Sequence, residues 1–564
     1  MNTNKKSVRL IAEICRQKGI RKVVFSPGSR SAPLVIAFSQ IPEIECIVIP
    51  DERVAGYFAL GMAQQLGELV AVVCTSGTAV LNLFPAVGEA QFQGIPLIII
   101  TADRPFEAMD RGENQTIFQE DVYGIYAQCI QVAEMGKGKA EFRETATAIS
   151  EAIEVIISEQ DILHINVVLD EPLYETTDEL LPAIPKIITE AEKEEEMDEE
   201  EIVMMKEDYY YCHKKMLIVG VRGYDSQFNK KVGVLSARKD WVVIIETTAN
   251  IKADNTVWNI DQCLSIMDKN EEDEFVPELV VTMGLQIVSK KIKQFLKGKP
   301  RVHWDSPSKI TSSPARSMFG DMCNDDVLMT DVDLLDFLLS MEEITTSSFN
   351  QDWLILSAKA KNATGDYLPE VPFSDLKVFE TLAKSFPAKA NIQYGNSSPV
   401  RYSNLFEHKK TITINANRGT SGIDGCVSTA AGAAYVNNRM TVSVVGDISF
   451  FYDSNALWNN YLSPDFRIIV INNGGGNIFR MIDGPTGIAD FEKFFETKHN
   501  LSARHLASMY DLPYYICDSQ KGLDEILKTF YEPSAKPRIL EIKTDGEISA
   551  KIYKEYFKFL KKQV

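Results

Sequence analysis

No Cys-x-x-Cys pair occurs in this chain of 564 residues, and its nine cysteines (15, 46, 74, 129, 212, 263, 323, 426 and 517) are scattered and odd in number. That pattern excludes a disulfide framework and fits reduced thiols in a cytosol. Cys212-His213 is the one adjacent Cys/His pair, and without a second pair at ligand spacing it makes no zinc site. Long apolar runs are missing too. Ile95-Pro-Leu-Ile-Ile-Ile-Thr101 is strand-sized, far short of the roughly 20 residues that span a bilayer. The opening Met-Asn-Thr-Asn-Lys-Lys has no apolar signal-peptide region, so a cytoplasmic protein without stable membrane insertion is expected. Positive charge is scarce, with 59 Lys and Arg against 79 Asp and Glu, a net charge of −20. Nucleic acid is thereby excluded as a general partner. Nucleotide motifs are absent as well: Gly474-Gly-Gly-Asn-Ile-Phe479 fails G-x-G-x-x-G at its last position, and no G-x-x-x-x-G-K-[ST] occurs.

What is present is a soluble, globular composition, 45% hydrophobic and 24% charged. The length is too great for one core and predicts three domains. Short β-branched runs alternate with helical patterns: Lys22-Val-Val-Phe25, Cys46-Ile-Val-Ile49, Leu69-Val-Ala-Val-Val-Cys74, Leu97-Ile-Ile-Ile100 and His164-Ile-Asn-Val-Val-Leu169. That βαβ rhythm predicts an α/β fold with mostly parallel sheets flanked by helices. Nine of the twelve residues from Glu190 to Glu201 are acidic, marking a boundary. Beyond it, Met216-Leu-Ile-Val-Gly220, Trp241-Val-Val-Ile-Ile245 and Leu279-Val-Val-Thr282 are strand candidates, and the last third repeats the rhythm. The expected domains are 1–185, 186–355 and 356–564.

Near the C-terminal end, Gly446-Asp447 closes the run Thr441-Val-Ser-Val-Val445, and Asn472-Asn-Gly-Gly475 closes Arg467-Ile-Ile-Val-Ile471. Neighbouring parallel strands bring such residues together at their carboxyl ends, where ligands of these sheets bind. The Asp447 carboxylate, the Asn473 amide oxygen and a glycine carbonyl, Gly475, are hard donors of the kind magnesium takes together with diphosphate oxygens. Asp447 to Asn473 is a spacing of 26 residues. It resembles the diphosphate-binding motif of thiamin-diphosphate enzymes, Gly-Asp-Gly and then Asn-Asn, with Ile448 in place of the second glycine.

More segments follow in order: Ser26-Pro-Gly-Ser-Arg-Ser-Ala-Pro-Leu34, Asp51-Glu-Arg53, Thr101-Ala-Asp-Arg-Pro105, Gly112-Glu-Asn-Gln-Thr-Ile117, Gly395-Asn-Ser-Ser-Pro-Val-Arg401 and Asn417-Arg-Gly-Thr-Ser-Gly-Ile-Asp-Gly425. Together they resemble the menaquinone-pathway branch of the thiamin-diphosphate enzymes, over both outer thirds and more weakly in the middle. That branch also carries an apolar residue after Gly-Asp, as Ile448 does here. The resemblance implies pyrimidine-binding, central and diphosphate-binding domains, thiamin diphosphate with Mg2+ or Mn2+, and a homodimer or homotetramer with active sites between subunits. It implies ligation of 2-oxoglutarate to isochorismate with loss of carbon dioxide. Glu52 would hydrogen-bond the aminopyrimidine, and Ile423 would wedge the cofactor into its bent form. Thr75 and Gly446 would lie along the cofactor. The four carboxylates of the two substrates would meet Arg30, Arg104, Arg401, Arg418, Lys290 and Lys291, aided by Ser29, Asn114, Gln115 and Ser397, with Phe479 as an apolar wall.

Each residue also has a plainer reading. Glu52 complements a helix dipole as first-turn acids do, Ile423 packs a core, Thr75 makes a tight turn, and Lys290 and Lys291 are a solvated pair. The basic run Lys551 to Lys562 either packs on its own domain or meets a membrane. None of the six histidines lies in these motifs. Two rival functions stand beside the first: another thiamin-diphosphate decarboxylase or carboligase, such as an acetohydroxyacid synthase, and a non-catalytic cofactor sensor.

Overall fold

The computed structural model describes residues 1–136, 138–184, 199–306, 325–326, 329–482, 484 and 487–563. Three six-stranded, all-parallel sheets organise the chain. The first holds, in chain order, Lys22–Phe25, Glu45–Val48, Val70–Cys74, Leu97–Asp103, Gln128–Val132 and Ile162–Val168. Numbered within the sheet, these lie in the order 2-1-3-4-6-5. The third sheet, of Asn391–Tyr394, Thr413–Ala416, Thr441–Gly446, Phe466–Asn472, Tyr514–Cys517 and Arg538–Lys543, has the same order. The central sheet begins with Lys215–Val219 and Trp241–Ile245 and runs 3-2-1-4-5-6. The acidic residues 190–198 lie outside the described residues, and Glu199 opens the helix Glu199–Tyr211.

The strands read as apolar runs because both sheet faces are covered: every residue of Val70–Cys74 and of Phe466–Asn472 is buried. Each Val, Leu or Ile so buried contributes about 1.5–3 kcal/mol against exposure. The outer sheets meet through the helices Glu52–Leu66 and Cys426–Val436, each following the second strand of its sheet. The contact is reciprocal. A Cβ on Gly61 would fall 1.9 Å from the Thr429 carbonyl oxygen, and one on Gly432 would fall 1.9 Å from that of Phe58. Only glycine lets the two backbones approach this closely.

The C-terminal helix Gly546–Lys561 lays Ala550, Ile552, Tyr556 and Leu560 inward, packing on its own domain and on the central helix Ile260–Ile266, and turns Lys551, Glu555, Lys558 and Lys561 outward. Its outer face has no apolar band for a membrane. Among the described residues no helix is long and apolar enough to cross one.

Candidate active site

The strands Thr441–Gly446 and Phe466–Asn472 pair in register, Gly446 opposite Ile471, so Asp447 and Asn473 emerge side by side. Asp447 accepts from Ile448 N–H (2.7 Å) through Oδ1 and from the N–H groups of Gly474 (2.8 Å) and Gly475 (3.0 Å) through Oδ2. The Gly474 backbone, at φ +84°, makes the turn that aims these donors back at Asp447. Asn473 donates Nδ2–H to Asp375 Oδ2 at 2.8 Å. Asp375 is fully buried and also accepts from Thr544 Oγ1 at 2.6 Å. Burial pushes its carboxyl pKa up, against the pull of these donors.

Four buried polar atoms around this loop lack a hydrogen-bond partner: Asn473 Oδ1, both side-chain polar atoms of Asn477, and His499 Nε2. His499 Nδ1 accepts from Leu501 N–H, which leaves Nε2 facing Asp447 Oδ2 at 3.4 Å. Buried orphans of this kind mark a place for an absent polar group. No cluster of three His, Cys, Asp or Glu occurs among the described residues. A cation here would therefore be held by carboxylate, amide and carbonyl oxygen, a donor set that fits magnesium or manganese with a diphosphate.

A second group surrounds Arg418, which is buried and donates to Asn396 Oδ1 at 3.2 Å. Its loop is gripped from two domains. Glu89, on the helix Phe84–Gln93, accepts from the N–H groups of Gly419 (2.6 Å) and Thr420 (2.9 Å) and from Thr420 Oγ1, while Gln286 donates to the Gly419 carbonyl. Further along, Ile423 is half-buried, and its carbonyl accepts from Ser449 Oγ. Arg401 reaches the Val288 carbonyl at 3.4 Å, and Ser397, at φ +73°, precedes its short helix. Glu246 accepts from Val288 N–H (2.6 Å) and Ser289 N–H (2.7 Å); burial raises its pKa to about 7, with Arg418 opposing the shift.

The lysines of the 290 segment are placed differently from one another. Lys290 is exposed. Lys291 donates to Ser265 Oγ at 2.7 Å, lies 3.5 Å over the Phe557 ring, and contacts none of the arginines, and burial brings its pKa down to about 8. Lys293, one helical turn beyond Lys290, is the lysine whose charge couples to Glu246 and Arg418. Phe479 meets Phe495 edge-on, with ring centroids 5.8 Å apart.

The N-terminal sheet presents a third group at its own strand ends. Glu52 opens its helix behind the cap Asp51, which accepts from Val54 N–H. It is half-buried beside Cys74, whose thiol pKa is raised by burial and then by Glu52. Thr75 is buried and touches Gly28. Arg30 is buried, donating to the Leu169 carbonyl and pairing with Glu171 at 3.2 Å, and Arg104 pairs with Glu113 at 3.1 Å. Ser29, Asn114 and Gln115 are exposed on the rim, where Ser76 Oγ donates to the Gln115 carbonyl. Among the described residues, no hydrogen bond or ion pair joins these residues to Ser397, Arg401, Arg418, Asp447 or Asn473.

Sequence reasoning missed Glu89, Glu246, Asp375, Lys293 and His499. Glu246 carried the same signal as Asp447, an acid closing an apolar strand. Glu89 stood out as one charge in Ala-Val-Gly-Glu-Ala. Asp375 and His499 belong to no local pattern, because only the folded chain brings them to Asn473 and Asp447.

Two α/β halves of the same strand order with a hard-oxygen corner are those of a thiamine pyrophosphate enzyme: residues 5–123 match the family model "Thiamine pyrophosphate enzyme, N-terminal TPP binding domain", and residues 395–542 match the corresponding C-terminal TPP binding domain. Similarity then extends over the whole chain. A 2-succinyl-5-enolpyruvyl-6-hydroxy-3-cyclohexene-1-carboxylate (SEPHCHC) synthase of Flavobacterium johnsoniae is 40% identical, with 98% of each chain covered. Those of Christiangramia forsetii and Bacteroides fragilis are 38% and 32% identical, covering 98% and 100% of both chains. The chain belongs to the SEPHCHC synthase family.

Proposed function

We propose that this chain joins 2-oxoglutarate to isochorismate with loss of carbon dioxide, giving SEPHCHC for menaquinone biosynthesis in the cytoplasm. The observation that carries the reading is the gathering of cations at the strand ends of a chain whose net charge is −20: Arg401, Arg418 and Lys293 on one side, and Arg30 and Arg104 on the other. Two substrates with four carboxylates between them need such a concentration, and small uncharged acceptors do not.

Thiamin diphosphate, when bound, supplies the carbon nucleophile and the electron sink for decarboxylation. The chain's own residues bind, orient and move protons. Asp447, Asn473 and the Gly475 carbonyl would hold the magnesium or manganese ion, with Gly446, Thr75 and Ile423 lining the cofactor. Glu52 holds a proton at N1′ of the aminopyrimidine. Arg30 and Arg104, with Ser29, Asn114 and Gln115, take carboxylate and hydroxyl groups from one side. Ser397, Arg401, Arg418, Lys290 and Lys293 take them from the other, and Phe479 walls the acceptor ring. Lys291 is left out, because Ser265 and Phe557 already engage its ammonium group.

The working unit in this reading is a homodimer or homotetramer. Within one chain Glu52 makes no hydrogen bond or ion pair to Asp447 or Asn473, and a second copy would set the Glu52 of one chain against the Asp447 of the other. The domains are taken at 1–185, 186–355 and 356–564. Carbon dioxide release from 2-oxoglutarate tests the proposal, with isochorismate generated in place or omitted and thiamin diphosphate present or absent. Release should require both cofactor and isochorismate. Equal release without isochorismate would make the protein a simple decarboxylase, and stabilisation by cofactor without any turnover would make it a sensor.

A further inference from the structure

An asparagine amide has two ends of nearly equal size and opposite hydrogen-bonding character. Only its oxygen can hold a cation, so a cation site needs that end of the Asn473 amide selected. The selection comes from behind. Asp375, at the start of the helix Asp375–Ser385, has no exposed surface, and its Oδ2 lies 2.8 Å from Asn473 Nδ2. Its position is set by Thr544 Oγ1, which donates to Oδ1 at 2.6 Å, and by Ser549 Oγ, which accepts the Asp375 N–H at 3.0 Å. Both partners come from just beyond the last strand: Thr544 follows it directly and Ser549 lies in the first turn of the C-terminal helix. The other end of the amide, Asn473 Oδ1, is then left buried and without a protein partner. Turning the amide over would bring two acceptors together at hydrogen-bond distance, against a carboxylate that has no exposed surface.

We propose that Asp375 is the positioning residue of the cation site: it holds Asn473 with its oxygen toward Asp447, so that the site is set for an oxygen-seeking divalent ion before the cofactor arrives. The inference rests on the cation reading of Asp447 and Asn473 given above. It differs from a general electrostatic role in what it demands of the contact. A charge effect needs only a negative group behind Asn473. Positioning needs an acceptor at residue 375 facing a donor at residue 473, and it survives if the pair is exchanged for another acceptor–donor arrangement.

Mn2+ binding in the presence of thiamin diphosphate, read by electron paramagnetic resonance, separates these cases without any turnover. Asp375→Ala should weaken Mn2+ binding about 10- to 100-fold, the usual cost of losing a partner that orients a metal ligand. Asn473→Asp should also bind Mn2+ more weakly than the wild type, although a carboxylate is the stronger ligand, because two acceptors then face each other. The double variant Asn473→Asp/Asp375→Asn restores one donor and one acceptor and should recover most of the affinity. Should Asp375→Ala fail to fold, as judged by its melting transition without metal, the Asn473→Asp and double-variant pair decides the matter.

Wild-type affinity in Asp375→Ala would overturn the inference. So would an Asn473→Asp variant that binds Mn2+ more tightly than the wild type, or a double variant no better than Asn473→Asp alone. A wild-type protein that binds no Mn2+ with thiamin diphosphate would overturn the cation reading itself, and this inference with it.

Discussion

The proposed function gives Glu52 and Asp447 different tasks, and the two acids have different surroundings. Asp447 is wrapped by three backbone N–H groups, which fix its two oxygens in place beside Asn473. Glu52 has the thiol of Cys74 beside it, and in the proposed reading it hydrogen-bonds a ring nitrogen. Glu52→Gln should therefore keep cofactor affinity while turnover falls about 10²- to 10⁴-fold, with loss of C2-proton exchange followed by NMR. Undiminished exchange would remove Glu52 from that role. Glu246 gives a prediction in pH. Its folded pKa, about 7, lies above the ordinary carboxyl value of 4.5, so the folded form binds the proton more tightly than the unfolded one. Its contribution to stability is complete below about pH 4.5 and is lost as pH rises through about 7. Arg418 and Lys293 face it with opposite charge, and Asp261 stands behind with the same sign. Melting temperatures from pH 5 to 8 should fall with pH more steeply in the wild type than in Glu246→Gln. Parallel curves would contradict the assignment.

At the scale of elements, the central object is the loop from Asn417 to Gly425, which carries both Arg418 and Ile423. Glu89 grips it from another domain, so cutting that grip should disturb substrate binding more than cofactor binding. Glu89→Ala is expected to raise KM for the carboxylate substrates with a smaller change in thiamin diphosphate affinity, as measured by steady-state kinetics and fluorescence titration. A change in cofactor affinity alone would place the loop's role elsewhere. The helix pair Glu52–Leu66 and Cys426–Val436 is equally specific. Gly432→Ala forces a methyl group into the Phe58 carbonyl and should cost about 3 kcal/mol, the upper end of ordinary overpacking, seen as a lower denaturation midpoint. How legible these elements were followed from burial. Trp241–Ile245 and Lys22–Phe25 could be read from sequence without error at either end, because strands covered on both faces are continuous apolar runs. Asn391–Tyr394 and Thr413–Ala416 escaped, because Asn, Gln and Thr interrupt them. In the fold the buried polar Asn391 and Gln393 find partners in Thr441 and Gln64. Contacts of that kind leave no local trace.

For the whole molecule, the identical strand order of the two outer sheets and the reciprocal glycine contact make the chain a pair of related halves around a different centre. The motifs at the strand ends were legible because a site of this class is built where strands stop, and strand ends are punctuated by Gly, Asp and Asn. The residues that hold those motifs in place come from other elements and had to be seen in three dimensions. Sites shared between copies predict complementation. Co-expressed Glu52→Gln and Asp447→Ala chains should regain activity, roughly a quarter of wild type if the chains pair at random in a two-fold dimer, since one site in each mixed dimer inherits both intact residues. No recovery would confine each site to one chain. The most direct measurement is product analysis by mass spectrometry on purified protein given thiamin diphosphate, magnesium, 2-oxoglutarate and isochorismate. The account predicts a product with the mass of both substrates less carbon dioxide, absent with Glu52→Gln. Isochorismate left unconsumed while the wild-type protein binds its cofactor would contradict it.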